Sequence, residues 1–224
     1  TSTVTVTVAA VNDAPVASNA SDSTNEDTAV DITLSATDVE GSSLTYSVVA
    51  TNNGSVSING TTATYTPTAN YNGTDTFTYK ANDGTDDGNT ATVTITIAAV
   101  NDAPVASNVS ASTNEGTAKD ITLSATDVEG SSLTYSIVSD VSNGSTSLSG
   151  STVTYTPTAN WNGTDTFTYK ANDGTVDGNT ATVTVTVAAV NDTPTTSDVS
   201  ASTNEDTAKD ITLSGADVDS GDTL

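Results

Sequence analysis

The sequence contains no cysteine, no histidine, no methionine and no arginine, and it has one tryptophan. Disulfides therefore cannot brace the fold, and cysteine usage does not indicate a cellular compartment. Without histidine and cysteine the common pairs of nucleophile and general base are missing, and no carboxylate pair stands out as a catalytic acid and base. No apolar run reaches the length of a transmembrane helix. The sequence thus favours a non-catalytic protein.

Positive charge is scarce. Four lysines oppose 28 acidic residues, which gives a net charge of −24. Acids are in excess in each of the segments 11–99, 100–189 and 190–224, so a surface that binds nucleic-acid phosphates is excluded. Cations are the natural partners of such a surface. The alternative is that the charge only keeps the protein soluble and apart from its neighbours.

The sequence is organised by a recurring segment, Val-Asn-Asp-Ala-Pro, which we name the linker. It occupies residues 11–15 and 100–104, and residues 190–194 repeat it with threonine in place of alanine. Residues 1–10 resemble the end of a preceding repeat, and residues 190–224 resemble the first third of a following one. We therefore predict two complete domains, residues 11–99 and 100–189, within an excerpt of a longer array.

Strict alternation of apolar and polar residues predicts strands, and it is clearest over residues 91–98, where valine and isoleucine alternate with threonine. Asn-Gly and Asp-Gly pairs separate the other candidates and are typical of tight turns. Further strands are expected near residue 16 and over residues 30–36, 44–49, 55–58, 62–66 and 75–81. About seven short strands without helical periodicity predict an all-β fold of tandem seven-stranded, antiparallel Greek-key sandwiches of the immunoglobulin-like kind.

The apolar side of these alternations predicts the core of the first domain. Its members are Ile32, Leu34, Leu44, Tyr46, Val48, Ile58, Tyr65, Phe77, Tyr79, Val93, Ile95 and Ile97. Tyr71 is replaced by Trp161 in the second repeat. A sugar-stacking role is conceivable for this aromatic position, but we expect it to pack against the fold or fix its loop.

Acidic residues recur at fixed places in the repeats. Glu26 follows the first linker, Asp38 and Glu40 follow a predicted strand, and Asp83 lies in a later turn. The second repeat has Glu115, Asp127, Glu129 and Asp173 at these places, and the partial repeat has Glu205, Asp217 and Asp219. Other acids are not kept, since Asp27 becomes Gly116 and Asp86 becomes Val176.

A Greek-key sandwich can bring the linker and two of these loops to one end of the domain. Asn101, Asp102, Asp127, Glu129 and Asp173 would then surround one point, where their repulsion favours a cation. Ca²⁺ takes six to eight oxygen ligands of this type. The alternative for Asn-Asp-Ala-Pro is a plain turn, in which the side chains bond their own backbone and proline fixes one angle.

This order of motifs resembles the cadherin repeat, and more closely the bacterial cadherin-like tandem repeats of large surface adhesins. The resemblance covers the linker, the following glutamate, Ala-Thr-Asp-x-Glu-Gly and Tyr-Lys-Ala-Asn-Asp-Gly. It implies a calcium cluster at each linker, with a glutamate contributed by the preceding domain. The implied ligands are Asn12, Asp13, Asp38, Glu40 and Asp83; Glu26, Asn101, Asp102, Asp127, Glu129 and Asp173; and Glu115, Asn191, Asp192, Asp217 and Asp219, with Glu205 at the glutamate position of the partial repeat.

One cadherin motif, Asp-Arg-Glu, is missing, and residues 66–75 read Thr-Pro-Thr-Ala-Asn-Tyr-Asn-Gly-Thr-Asp instead. We therefore expect one or two ions per linker rather than three. Asp75 and Asp165 are the alternative acids in this region.

These observations predict a secreted, extracellular array in which calcium ties adjacent repeats into a rod, as a spacer in a surface adhesin. Two other hypotheses remain open. Copies of the chain could associate into an extracellular fibre or matrix, or exposed loops could bind a glycan or a partner protein. Fold alone does not decide among them.

Overall fold

A computed structural model describes residues 1–219 of the chain. It divides into two compact units, Thr1–Asn101 and Asp102–Leu224. The described residues form strands, turns and loops, which confirms the all-β prediction. Within them, no helix has the length and apolar character needed to cross a membrane.

The first repeat contains nine strands in three sheets. The strands are β1 (Val16–Ala17), β2 (Ala20–Asn25), β3 (Val30–Thr33), β4 (Ala36–Thr37), β5 (Thr45–Thr51), β6 (Gly54–Asn59), β7 (Thr62–Pro67), β8 (Gly73–Asn82) and β9 (Ala91–Ala98). The sheet orders are β2-β9-β8-β5, β3-β7-β6 and β1-β4. The larger two sheets are the halves of a sandwich, and the short β1-β4 pair lies where the chain leaves the linker.

The second repeat has the same plan. Its strands are β10 (Val105–Ala106), β11 (Val109–Asn114), β12 (Lys119–Thr122), β13 (Ala125–Thr126), β14 (Thr134–Ser139), β15 (Gly144–Ser149), β16 (Thr152–Pro157), β17 (Gly163–Asn172) and β18 (Ala181–Ala188). They are ordered β11-β18-β17-β14, β12-β16-β15 and β10-β13. The partial repeat contributes β19 (Thr195–Thr196) and β20 (Gly215–Ala216), an antiparallel pair. Part of its predicted segment, residues 220–224, lies outside the described residues.

The pairing and the division of the strands differ from the sequence prediction. The sheets are not wholly antiparallel, because β2 pairs in parallel with β9 along six residues, from Ala20↔Val93 to Asn25↔Ala98. The predicted strand over residues 30–36 is also two strands, β3 and β4, which belong to different sheets. The chain changes sheets between them, which a single run of alternating residues does not reveal.

Inward-facing residues of the two larger sheets form the core. Tyr65, Tyr79, Val93 and Ile95 are fully buried in the first repeat, and the second repeat buries the equivalent residues. Among the predicted core residues, Tyr46 and Ile58 are half-buried against this core. The prediction was wrong for Val48, which is 36% exposed, and Leu44 is only partly buried. Both flank or lie in β5, an edge strand whose register shifts between Val48 and Ala50.

The aromatic position of the β7–β8 loop packs as expected. Tyr71 and Trp161 are half-buried against the cores of their repeats. The Tyr71 hydroxyl donates to the backbone oxygen of Thr74 (3.0 Å). These contacts assign the ring a structural role at the loop.

The linker is held against the β8–β9 loop in each repeat. In the first, a Cβ added to Gly88 would lie 2.1 Å from the backbone oxygen of Pro15. The side chain of Asn89 then accepts a hydrogen bond from the backbone N–H of Ala17 (2.7 Å) and donates to its carbonyl oxygen (3.0 Å). The second repeat reproduces the close approach with Gly178 and Pro104, and the paired bonds with Asn179 and Ala106. The linker end is therefore fixed within each domain.

Candidate metal centre

The acidic residues predicted beside the first linker are connected by hydrogen bonds in the first repeat. The Asn12 side-chain amide donates to Asp83 Oδ2 (2.9 Å) and to Asp86 Oδ2 (3.0 Å). The next residue, Asp13, donates its backbone N–H to Glu40 Oε2 (3.2 Å). The linker thus contacts both the β4–β5 loop and the β8–β9 loop, as the Greek-key argument anticipated.

Asp38 occupies a distinctive place in this group. Its Oδ1 accepts from the backbone N–H of Ser42 (2.8 Å), which closes the turn after β4. Its Oδ2 is buried and has no hydrogen-bond partner. A buried carboxylate oxygen without a donor is costly unless a proton or a cation satisfies it.

Asp83 is held by its own turn. Its Oδ1 accepts from the backbone N–H groups of Thr85 (2.7 Å) and Asp86 (2.8 Å). The Asp86 backbone bond, followed by the Asn12 and Thr85 bonds, lowers the pKa of Asp83 from its ordinary value. The carboxylate is therefore ionised at neutral pH.

The second repeat places its acids in the same way. Asp102 donates its backbone N–H to Glu129 Oε2 (3.2 Å). Asp127 Oδ1 accepts from Ser131 N–H (2.8 Å), and Asp127 Oδ2 is again buried without a hydrogen-bond partner. Asp173 Oδ1 accepts from the backbone N–H of Thr175 and of Val176. The local geometry is a property of the repeat rather than of one copy.

The partial repeat keeps part of this pattern. Asp192 donates its backbone N–H to Asp219 Oδ2 (2.6 Å), and Asp219 donates to Asp217 Oδ1 (2.9 Å). Asn191 instead donates to the backbone oxygen of Asp192 (2.9 Å). The contact between linker N–H and acid therefore recurs at a spacing of 27 residues in all three copies. Glu205 is exposed.

The glutamates predicted to serve the next linker directly follow β2 and β11, and their backbone N–H groups donate to the last residues of β9 and β18, Ala98 and Ala188. Glu26 is only 3% exposed, and its Oε1 accepts from the backbone N–H of Val100 (2.5 Å). Asn72 approaches Glu26 Oε2 at 3.5 Å. Glu115 makes the same bond to Val190 (2.5 Å) but is less buried. Each glutamate contacts the residue directly before the Asn-Asp pair of the linker.

The residue after this glutamate explains one difference between the copies. Asp27 and Asp206 have φ of 57° and 62°, and Gly116 has φ of 67°. The position requires the left-handed region, where glycine and aspartate are the residues best tolerated. The exchange of Asp27 for Gly116 therefore satisfies a turn and does not indicate the loss of a metal ligand.

Asp75 and Asp165 have a different role from the loop acids. Both are buried, at 3% and 4% exposure. Asp75 accepts from the Tyr65 hydroxyl (2.6 Å) and the Asn53 backbone N–H (3.0 Å). Asp165 accepts from the backbone of Ser142 (3.1 Å) and Asn143 (2.9 Å). They fix the β5–β6 and β14–β15 loops. The signal in the sequence was an acid in the inward phase of a core strand.

Tyr65 and Tyr155 are harder to ionise in the same environment. Burial, followed by the nearby Asp165, raises the pKa of Tyr155 to about 12. Burial and Asp75 raise the pKa of Tyr65 in the same direction. Both phenols remain protonated donors at neutral pH.

The side chains do not enclose an ion as they stand. Over residues 1–219, no three acidic side chains are arranged to hold a metal. The donor set is nevertheless suited to Ca²⁺, since it offers carboxylate, amide and backbone oxygens and no nitrogen or sulfur ligand. The unpartnered oxygens of Asp38 and Asp127 supply a test of fit, because each is a buried ligand atom that no donor uses.

Comparison with known proteins identifies the family to which the chain belongs. The model of the bacterial Ig domain matches residues 12–96 and 101–186. No curated protein matches the chain. Among solved structures, the chain is similar to the human desmocollin-1 ectodomain (16% identity, 82% of this chain and 42% of that chain, TM-score 0.53). It is also similar to human protocadherin-24 EC1-2 (16% identity, 80% and 100%, TM-score 0.50) and to an endo-fucoidan hydrolase of glycoside hydrolase family 107 (22% identity, TM-score 0.36).

These matches differ in extent. The chain covers 79% of its own length in the hydrolase match but only 29% of the hydrolase. At these identities the cadherin ectodomains show a shared fold, which confirms the expected cadherin-like sandwich. The two matches to the family model cover most of the chain and separate at the second linker. The chain therefore belongs to the bacterial Ig domain family, of which it carries two tandem copies.

Proposed function

We propose that this chain is a non-catalytic segment of an extracellular repeat array, in which Ca²⁺ bound at the linker of each repeat restricts the motion of that linker. The observation that carries the proposal is the buried, unpartnered Oδ2 of Asp38 and its counterpart Asp127. Each lies two residues before the acid that accepts the linker N–H. The same sequence order led to the resemblance with cadherin repeats.

The protein residues have separate tasks in this proposal. The Oδ1 atoms of Asp38 and Asp83 accept backbone N–H bonds, which fix the two side chains. These bonds do not use the second carboxylate oxygen, Oδ2. Glu40 contacts the linker at Asp13, and Asn12, which lies within the linker, contacts Asp83 of the β8–β9 loop. The side chains of Glu40 and Asn12 are long or flexible, and they must turn to direct an oxygen toward a bound ion. Bound calcium would supply the positive charge that offsets the repulsion among the carboxylates.

In this proposal, the binding of calcium is thermodynamically linked to the ordering of the linker. An ion that binds the ordered linker and not its disordered state stabilises the ordered state in proportion to its concentration. Extracellular modules commonly bind calcium with Kd of roughly 10⁻⁴ to 10⁻³ M. A linker of this kind is ordered outside the cell and loosens where calcium is scarce. The function this supports is that of a spacer in a large bacterial surface adhesin.

A paired substitution in the second repeat tests the proposal. Asp127→Asn with Glu129→Gln removes two charges from the cluster, and Asp120→Asn with Asp140→Asn removes two charges elsewhere in the same repeat. Trp161 is the single tryptophan, so its fluorescence reports this repeat alone. We expect calcium to raise the melting temperature of the wild type and of the control pair, and to have little effect on the cluster pair.

Small-angle scattering of the full chain, with calcium and with chelator, gives a second measurement. The proposal predicts a narrower distribution of dimensions with calcium. If neither scattering nor melting responds to calcium in the wild type, calcium has no role here. Growth of the particles with protein concentration would instead support a self-associating fibre, and retention on immobilised glycans would support a binding module.

A further inference from the structure

One of the two lysines of the second repeat has no partner. Three of the four lysines in the chain are occupied, since two pair with aspartates and Lys209 donates to the backbone oxygen of Ser202 (2.9 Å). The fourth, Lys119, makes no hydrogen bond and no ion pair within residues 1–219. The chain has a net charge of −24. A cation that none of its many carboxylates neutralises is available to an anion from outside the chain.

Lys119 occupies a position that is apolar in the first repeat. It begins β12 and pairs with Tyr155, just as Val30 begins β3 and pairs with Tyr65. Val30 packs against the core of its repeat, whereas Lys119 is exposed. A lysine beside a core can cover apolar surface with its aliphatic stem and keep its ammonium group in water. The exchange therefore adds an exposed positive charge at the edge of the core.

A groove of about 480 Å³ lies beside Lys119, where the end of β11 and the turn after it meet the start of β12. The Thr113 hydroxyl donates to the backbone oxygen of Thr117 (2.9 Å), which holds this turn in place. The side chains of Ser112, Asn114 and Thr117 also line the groove, and within the described part of the chain they have no hydrogen-bond partner. The groove thus offers one cation and three neutral hydrogen-bonding groups on a fixed turn.

We propose that this groove binds an acidic sugar residue, whose carboxylate pairs with Lys119 and whose hydroxyls bond to the neutral side chains. Binding sites for small molecules have volumes of roughly 300 to 1,000 Å³, so the groove is large enough for one sugar residue. Hydroxyl and amide side chains both donate and accept hydrogen bonds, as sugar hydroxyls do. The single cation matches a single carboxylate. A densely charged polymer is disfavoured, because the acids of the surrounding surface repel it.

This site goes beyond the role of a spacer, and it does not involve the acids near the linker. A repeat that has lysine at this position holds a glycan, while a repeat that has valine there only extends the array. The two repeats of this chain differ in this way, since Val30 and Lys119 are equivalent.

Titration of the full chain with glucuronate, followed by amide NMR shifts in the presence of chelator, tests the inference. We expect the amides of residues 112–119 to shift with a Kd on the order of 1 mM, because the groove is open and supplies one charged contact. Glucose has a hydroxymethyl group in place of the carboxylate and should bind about tenfold more weakly, because the charge-assisted bond is lost. Acetate has the carboxylate without the ring and should also bind more weakly than glucuronate.

The difference between the repeats supplies the variants. Lys119→Val should abolish glucuronate binding and keep the fold, because the first repeat carries valine at this position. Val30→Lys should create a second site, which new shifts of residues 23–30 would report. Lys170→Val is the matched control, because it removes the same charge from β17, outside the groove, and should leave the Kd for glucuronate unchanged.

Several results would overturn the proposal. The first is the absence of shifts at residues 112–119 with glucuronate, and the second is the persistence of these shifts in Lys119→Val. Equal affinities for acetate and glucuronate would overturn the assignment of a sugar. Shifts of these residues that grow with protein concentration, without any sugar, would assign the groove to a second copy of the chain instead. Because chelator is present throughout, each of these results is independent of the proposed role of calcium.

Discussion

The close contact between the linker and the β17–β18 loop leads to a strong prediction for Gly178→Ala. A Cβ at this position would lie 1.9 Å from the backbone oxygen of Pro104 and 2.9 Å from its carbonyl carbon. An ordinary contact begins near 3.4 Å, so the two backbones must separate by roughly 1.5 Å. Neither partner is a flexible side chain that can move aside. The linker or the loop must therefore shift as a whole.

The free energy of unfolding should fall by about 3 kcal/mol. Overpacking of this kind costs about 1 to 3 kcal/mol. The shift also disturbs the two bonds between Asn179 and Ala106 and the bond from Gly178 N–H to Ala171 (2.8 Å), each worth about 0.5 to 1.5 kcal/mol. With an m value of about 1 kcal/mol per molar urea, the midpoint should fall by about 3 M.

Urea unfolding followed by Trp161 fluorescence measures this change in the second repeat alone. Gly150→Ala is the matched control, because Gly150 has φ of 61° and open space around its added Cβ. It should cost about 1 kcal/mol through backbone strain only. Gly88→Ala, the same clash in the first repeat, should leave the Trp161 transition in place. Equal costs for Gly178→Ala and Gly150→Ala would refute the claim that the linker is packed against this loop.

Two further predictions concern the buried acid of the second repeat and its partner. Asp165→Asn should lower the free energy of unfolding of the second repeat, followed by Trp161 fluorescence, by about 2 kcal/mol, because the backbone N–H groups of Ser142 and Asn143 lose a charged acceptor. Asp75→Asn changes the first repeat and should not affect that transition. Since the pKa of Tyr155 is raised to about 12, its contribution to stability is complete below the ordinary value of 10.0 and is lost as the pH rises toward the folded value. The urea midpoint should therefore fall more between about pH 9 and about pH 11.5 in the wild type than in Tyr155→Phe. An equal fall in both proteins would assign the loss of stability to other groups.

Most strands were predictable because their buried residues recur at every second position. The strand β9 shows this best, with Val93, Ile95 and Ile97 inward and threonines outward. The strand β2 was missed because its sequence, Ala-Ser-Asp-Ser-Thr-Asn, is polar on both sides. As an edge strand it is held by backbone pairing with β9, and backbone pairing does not require any particular pattern of side chains. The prediction that Val48 is buried was wrong for the opposite reason, since an apolar residue in an irregular edge strand need not be buried.

The approach of the acidic loops to the linker was predictable from the sequence, whereas their binding of a metal stays a prediction. Recurrence of acids at equal spacing in the copies identified Asp38, Glu40 and Asp83, and the structure connects Asn12 to Asp83 and Asp13 to Glu40. The contact between Asp86 and Asn12 was not visible in the sequence, because the replacement of Asp86 by Val176 looked like the loss of an unimportant acid. The contact depends on the turn that brings Asp86 to Asn12, across 74 positions of the sequence.

The parallel pairing of β2 with β9 has a mechanical consequence. The chain enters a repeat through the linker and the short strand β1, continues into β2, and leaves the repeat just after β9. Ala20 pairs with Val93, and Asn25 pairs with Ala98. A pull on the two ends of the repeat draws these parallel strands past each other, so it loads their hydrogen bonds together instead of opening them one at a time. Resistance to force depends on the rate of unfolding and not on the free energy alone. A small domain without disulfides can thus withstand tension that its modest core would not suggest.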